Sequence, residues 1–156
     1  MTTWLTLEQQ TYWRSYIAAT ELLNDRLSRE LQAEHGLTLA DYEILVRLSE
    51  SPERRLRMSQ LADATLASRS RLSHQVDRME KADLVRREAC EDDRRGSHAV
   101  LTDHGWEVLV AAAPTHVHGV RAHLVDQLSG PEFAALGKAL GIVAAHLQGI
   151  DRADAS

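Results

Sequence analysis

Apolar and polar positions alternate with a helical period along most of the chain. The first regular stretch opens with a capping box at Thr6 and ends at the glycine-cap position Gly36. Its apolar positions are three or four residues apart, as on one face of a helix: Trp13, Tyr16, Ile17, Leu23, Leu27 and Leu31. A second amphipathic stretch opens at Thr38 and closes before Pro52. The pattern therefore predicts two N-terminal helices.

Two short helices are predicted next. The first covers about residues 59–66, with Leu61, Ala62 and Thr65 on its buried side. The second follows Ser68, a suitable N-cap. Its apolar positions Leu72, Val76 and Met79 are spaced by four and three and should point inward, which leaves polar and basic side chains outside. We expect this second helix to be the recognition helix of a helix-turn-helix, which is the helix that enters the major groove of DNA.

Two strand-like runs follow, Leu84–Ala89 and Ser97–Leu101. A charged tip ending at Gly96 separates them and predicts a β-hairpin, or wing. Leu56 lies in the basic linker before the short helices, where a third edge strand is common in winged helices.

The C-terminal part is predicted to be helical again. Thr102 caps a long helix that contains Pro114, and Ser129 opens a last helix with a capping box. The apolar positions of the last helix have heptad-like spacing: Phe133, Leu136, Leu140, Val143 and Leu147. This stripe suits either internal packing or a dimer interface.

The predicted fold is mostly α with a small sheet, an α+β winged helix. One domain spans residues 1–156. Its DNA-binding lobe covers about residues 38–105, and helices at about 6–35 and 103–148 form a dimerisation region.

Charge is unevenly distributed along the chain. The net charge is −5, but residues 54–95 hold eleven Lys or Arg against eight Asp or Glu, a local +3. A locally basic module in an acidic body can neutralise phosphates while indiscriminate binding is disfavoured. The single Cys90 allows no internal disulfide. Apolar runs such as residues 108–113 are too short to span a bilayer, so we expect a cytoplasmic protein without a membrane partner.

Two sequence runs resemble the MarR family of bacterial transcriptional regulators. They are SRSRLSHQVDRMEKADLVRRE, from Ser68, and DDRRGSHAVLTDHG, from Asp92, which fits the family's D-x-R and L-T-x-x-G patterns. The resemblance, with the flanking helices, covers nearly the whole chain. It implies an obligate homodimer, a pseudo-palindromic operator, usually repression, and often release by a small ligand.

The residues expected to contact double-stranded DNA lie on the recognition helix and at the wing tip. Arg71 and Arg78 are long enough to reach a guanine edge or a phosphate, and Arg69 suits a phosphate. The remaining candidates on the helix can hydrogen-bond bases: Ser70, Ser73, His74 and Gln75. At the wing, Arg95 or Arg94 would enter the minor groove with Asp93 orienting it. A salt bridge that only holds the wing together is the alternative.

Three aromatic residues and four histidines are candidates for an effector pocket and a metal site. Trp13, Tyr16 and Tyr42 would form an apolar pocket for an aromatic or phenolic effector if the first two helices pack beside the DNA-binding lobe; the alternative is core packing. Four histidines are poorly spaced for a zinc site: His35, His116, His118 and His123. We therefore predict no metal and no cofactor. Redox-sensing members of the family that this sequence resembles carry their reactive cysteine in the first helix. Cys90 lies on the first wing strand instead, so the resemblance disfavours peroxide sensing.

The sequence thus predicts a homodimeric, operator-specific transcriptional regulator. A winged-helix module that binds a protein instead of DNA is the alternative. An enzyme is not expected, because no nucleophile with its base, phosphate loop or carboxylate pair is recognisable.

Overall fold

The computed structural model describes residues 1–65, 67–91 and 95–154. It contains two compact units, an N-terminal unit Met1–Gly119 and a C-terminal unit Val120–Ser156. Asp93 and Arg94 of the predicted wing tip, and Leu66 at the end of a predicted helix, lie outside the described residues.

The secondary structure follows the predicted order. In the N-terminal unit the elements are α1 (Leu7–His35), α2 (Leu39–Ser49), a 3-10 turn (Pro52–Arg54), β1 (Arg55–Arg57), α3 (Met58–Thr65), α4 (Arg69–Lys81), β2 (Val85–Ala89), β3 (Ser97–Leu101) and the start of α5 (Asp103–His123). The C-terminal unit contains a 3-10 turn (Val125–Gln127) and α6 (Gly130–Asp154). The predicted winged helix-turn-helix is confirmed.

Local side-chain bonds fix the helix ends. The hydroxyls of Thr6 and Thr38 each accept a bond from the backbone N–H of the third helical residue, and the threonine backbone N–H donates in return to the side chain of that residue. Gly36 ends α1 with φ of 68°, a left-handed conformation that glycine adopts without steric cost.

The sheet has three antiparallel strands in the order β1-β3-β2. Leu56 of β1 and Arg87 of β2 both pair with Ala99 on the central strand. The predicted hairpin and third edge strand are therefore present, and the adjacent arginines 86 and 87 lie on the other edge strand, β2.

A continuous apolar core joins α2, α3, α4 and the sheet. Leu72, Val76 and Met79 of α4 are buried in it, which confirms the predicted inner stripe of the recognition helix. The predicted stripe of α1 is buried only from Leu27 onward. Trp13, earlier on α1, is exposed, because the packing partners of this helix lie at its C-terminal half.

The exit from the wing depends on one close backbone approach. A Cβ atom at Gly105 would lie 2.0 Å from the carbonyl oxygen of Leu84. The hydroxyl of Thr102 accepts a bond from the Gly105 N–H at 2.9 Å and donates to the Asp83 carbonyl. The L-T-x-x-G pattern therefore holds the start of α5 against the start of β2.

In the C-terminal unit, α6 presents apolar side chains to solvent. Phe133, Leu140, Val143 and Leu147 are exposed, and Leu136 is half-buried. Residues 130–150 have a mean hydropathy of 1.4 and are long and apolar enough to cross a membrane by length and composition, a feature that the apolar-run argument overlooked. Length and composition alone are weak evidence, since helices of soluble proteins meet the same criterion.

Candidate DNA-binding interface

The outer face of α4 carries the polar and basic side chains that were expected to meet DNA. Ser68 caps the helix by accepting a bond from the Arg71 N–H at 3.3 Å. The side chains exposed on this face are Arg69, Ser70, Arg71, His74 and Arg78. Their exposure follows from the buried stripe, because the helical period that points the apolar residues inward turns these outward.

Gln75 does not belong to that outer face. It is 8% exposed, and its Nε2 donates to Oδ1 of Asp41 at 3.2 Å. Asp41, on α2, also lies 3.9 Å from the Arg78 guanidinium. The prediction that Gln75 reads bases is therefore wrong: its amide joins α4 to α2. Its position next to Val76 of the buried stripe was the available signal.

Ser73 of α4 is half-buried and already bonds to another side chain of the protein. Its hydroxyl accepts a bond from Nη2 of Arg87 at 3.1 Å, and its carbonyl accepts from the same nitrogen at 3.0 Å. Asp77 of α4 is ion-paired with the same Arg87.

A basic cleft of about 490 Å³ lies between the start of α4, the end of β1 and the wing. Of the described residues, four arginines line it: Arg57, Arg69, Arg87 and Arg95. Two carboxylates compensate the charge of Arg87, those of Asp77 and Glu80. Among the residues that the structure describes, no ion pair engages Arg57 or Arg69. The cleft therefore suits an anion.

Sequence reasoning missed Arg57 and Arg87 as parts of this site. Arg57 belongs to the basic linker, and it reaches the cleft because β1 joins the sheet beside β3. Arg87 lies on β2 and reaches back to α4.

The wing is closed at its base by a bond from the Cys90 N–H to the Gly96 carbonyl at 3.1 Å. Arg95 is exposed and faces the cleft, whereas Asp93 and Arg94 lie outside the described residues. Cys90 is buried, with Sγ 3.3 Å from Nδ1 of His98. The structure thus brings Arg95 to the same surface as Arg69.

Comparison with known proteins agrees with this geometry. Residues 35–96 match the model of the MarR family. The chain is 53% identical to AbsC, a MarR family transcriptional regulator from Streptomyces coelicolor, over 95% of this chain and 99% of that one, with a TM-score of 0.89. The chain belongs to the MarR family.

Two further relatives support the assignment. Sco3205, a MarR family transcriptional regulator from Streptomyces coelicolor in complex with DNA, is 50% identical over 95% of this chain and 92% of that one, with a TM-score of 0.91. The transcriptional regulator PecS of Dickeya dadantii is 29% identical over 132 residues, 84% of this chain and 79% of PecS. This MarR family protein is a transcriptional regulator and not an enzyme.

The aromatic residues expected to form an effector pocket separate into two places. Trp13 and Tyr16 stack with ring centroids 5.9 Å apart and are 55% and 44% exposed. Tyr42 is buried, 4.4 Å from the His116 ring. His116 follows Thr115, whose hydroxyl meets His35 at the end of α1. Tyr16 is nineteen residues earlier on α1, about 28 Å away at the helical rise. Within one chain the three rings do not come together, because α1 is continuous.

His116 is half-buried beside the Tyr42 ring. Burial lowers the pKa of His116 and raises that of Tyr42. Nδ1 of His116 is buried without a hydrogen-bond partner. In the described parts of the chain, no three His, Cys, Asp or Glu side chains converge on a possible metal position.

Proposed function

We propose that this MarR family regulator is a cytoplasmic homodimeric repressor that binds a pseudo-palindromic DNA operator. The observation that carries the proposal is the basic cleft between α4 and the wing, lined by Arg57, Arg69 and Arg95. A cleft of this kind between a helix and a hairpin fits the sugar-phosphate strand that separates two adjacent grooves. The DNA complex of Sco3205 supports the same assignment.

In this arrangement α4 lies in the major groove. Arg71 and Arg78 then reach base edges or phosphates, while Ser70 and His74 supply further hydrogen bonds. A bidentate contact between an arginine and guanine contributes about 1–3 kcal/mol of discrimination. Arg57 and Arg69 hold the phosphate strand in the cleft and set the register of the helix.

The wing reaches the flanking minor groove. Arg95 is exposed at the hairpin beside the cleft. A guanidinium inserted into a narrow minor groove gains from the enhanced negative potential there. The predicted roles of Arg94 and Asp93 stay predictions.

The proposed dimer interface is the apolar face of α6. The apolar residues of this face lie on one stripe of the helix: the exposed Phe133, Leu140, Val143 and Leu147 and the half-buried Leu136. The exposed apolar side chains Trp13 and Tyr16 give the first half of α1 a similar surface. A soluble protein rarely leaves such stripes uncovered, and a symmetric partner would cover the same residues on both copies.

A small effector would release the repressor from DNA. Tyr42 and His116 are its best-supported location, because the unpartnered Nδ1 of His116 lies against an aromatic ring. A phenolic or carboxylic ligand would supply the missing hydrogen bond. Such a ligand would act by binding one spacing of the two recognition helices better than the other.

Selection and sequencing of DNA fragments that the purified protein retains tests the proposal. We expect a two-fold symmetric motif whose half-sites lie about one helical turn, roughly 10 base pairs, apart. Retention of no particular sequence would favour the protein-interaction module instead. An asymmetric single motif would contradict the homodimeric repressor.

A further inference from the structure

We propose that Arg87 is a positioning residue that fixes the wing to the recognition helix. These two arms of the DNA-binding surface, the wing and α4, then approach DNA with one relative orientation. This role rests on the proposed function, since it concerns how the same surface meets its operator. Nothing in the role requires Arg87 to touch DNA.

The side chain of Arg87 crosses from β2 to α4 and is held there at several points. Nη2 donates to the carbonyl and the hydroxyl of Ser73 at 3.0 and 3.1 Å. Nη1 is paired with Asp77 and lies 3.4 Å from Glu80. The Arg87 backbone N–H donates to the other carboxylate oxygen of Glu80 at 2.9 Å. These contacts span two turns of the recognition helix.

The burial of the Arg87 guanidinium and its ion pairs indicate that it bonds within the protein rather than to DNA. The side chain of Arg87 is 24% exposed, and two carboxylates lie on it. Both of its terminal nitrogens are already bonded. Removing one partner from such a network is costly, because the remaining polar groups stay desolvated.

Arg86 provides the contrast within the same strand. Successive side chains of a strand point to opposite faces, so Arg86 points away from α4. It is 54% exposed and pairs with Glu88 at 2.9 Å. Arg86 and Arg87 therefore carry the same charge at adjacent positions, and only Arg87 bonds to α4.

The position of Arg87 in the sheet explains why this matters for the wing. Arg87 pairs with Ala99 of β3, and beyond it β2 leads to the closed hairpin base at Cys90. A fixed β2 therefore fixes the direction of the hairpin that carries Arg95. When one arm has docked, the other arm is already in place, and its binding costs less conformational entropy.

A double-mutant cycle measures this coupling. Operator affinity is determined by fluorescence anisotropy for Arg71→Ala, Arg95→Ala and the double variant, each in the wild-type, Arg87→Gln and Arg86→Gln backgrounds. In the wild-type and Arg86→Gln backgrounds, we expect the double variant to lose about tenfold less affinity than the product of the single losses. In Arg87→Gln that factor should fall to about one, within the additivity expected of independent sites.

Asp77→Asn gives a second, independent test. It removes a negative charge from the DNA-facing helix, so a purely electrostatic effect would tighten binding and leave the coupling factor unchanged. We expect the coupling factor to fall, because Asp77 is a partner of Arg87. Melting temperatures accompany each variant, and if Arg87→Gln does not fold, Asp77→Asn decides the question.

The outcomes separate the two proposals. A wild-type protein that selects no DNA refutes the proposed function and this role together. A wild-type protein that binds its operator, but whose coupling factor is already about one or survives both Arg87→Gln and Asp77→Asn, refutes the role of Arg87 alone.

Discussion

Replacing Arg57 and Arg69 of the cleft by glutamine should flatten the salt dependence of DNA binding. Both line the cleft proposed to hold the phosphate strand. Each phosphate that a protein neutralises contributes about 0.9 to the slope of log affinity against log salt. Two arginines in each of two subunits therefore correspond to a loss of about 3.6 from the slope. When salt rises from about 50 to 200 mM, the affinity of each protein falls by some factor. That factor should be roughly 150 times smaller for the variant than for the wild type.

The assay is an anisotropy titration on the selected operator at several salt concentrations. A matched control, Arg14→Gln with Arg29→Gln, removes two exposed arginines from α1 and changes the net charge equally. Its slope should stay parallel to that of the wild type. Equal slopes for the cleft variant and this control would show that the cleft does not hold phosphate.

Three further predictions concern stability and assembly. Gly105→Ala should lower the melting temperature by several degrees or prevent folding, because its Cβ would meet the Leu84 carbonyl oxygen; an unchanged melting curve would contradict the close approach. Leu140→Asp should yield monomers in analytical ultracentrifugation, whereas Ala145→Asp on the opposite side of α6 should remain dimeric; a dimeric Leu140→Asp would refute the proposed interface. His116 has a lowered pKa, so its neutral form contributes stability that is complete above pH 6.5 and declines as pH falls; His116→Phe should lose less stability than wild type in chemical denaturation between about pH 7 and 5, and parallel losses would contradict its burial.

Features set by local bonding were predictable from the sequence. The capping box at Thr6, the helix start at Thr38 and the glycine cap at Gly36 involve residues within a few positions of each other, and they appear as expected. The inner stripe of α4 follows directly from the helical period. The hairpin was predictable because alternating apolar positions flank a glycine-containing tip.

Features that depend on distant residues were not predictable. Gln75 borders the buried stripe, but its partner Asp41 lies on another helix, so this bond could not be predicted from the sequence. Arg86 and Arg87 are indistinguishable in sequence, and the register of β2 against β3 decides which one bonds to α4. Trp13 has core-like spacing on α1, yet the described part of the chain leaves it exposed.

Footprinting on the selected operator tests the central claim most directly, since it reports both grooves at once. Methylation protection detects guanine N7 in the major groove, and hydroxyl-radical cleavage reports the minor-groove face. The two-armed binding mode predicts protected guanines inside each half-site, flanked by minor-groove protection that disappears in Arg95→Ala. Protection confined to one groove, or a flanking footprint unchanged in that variant, would contradict it.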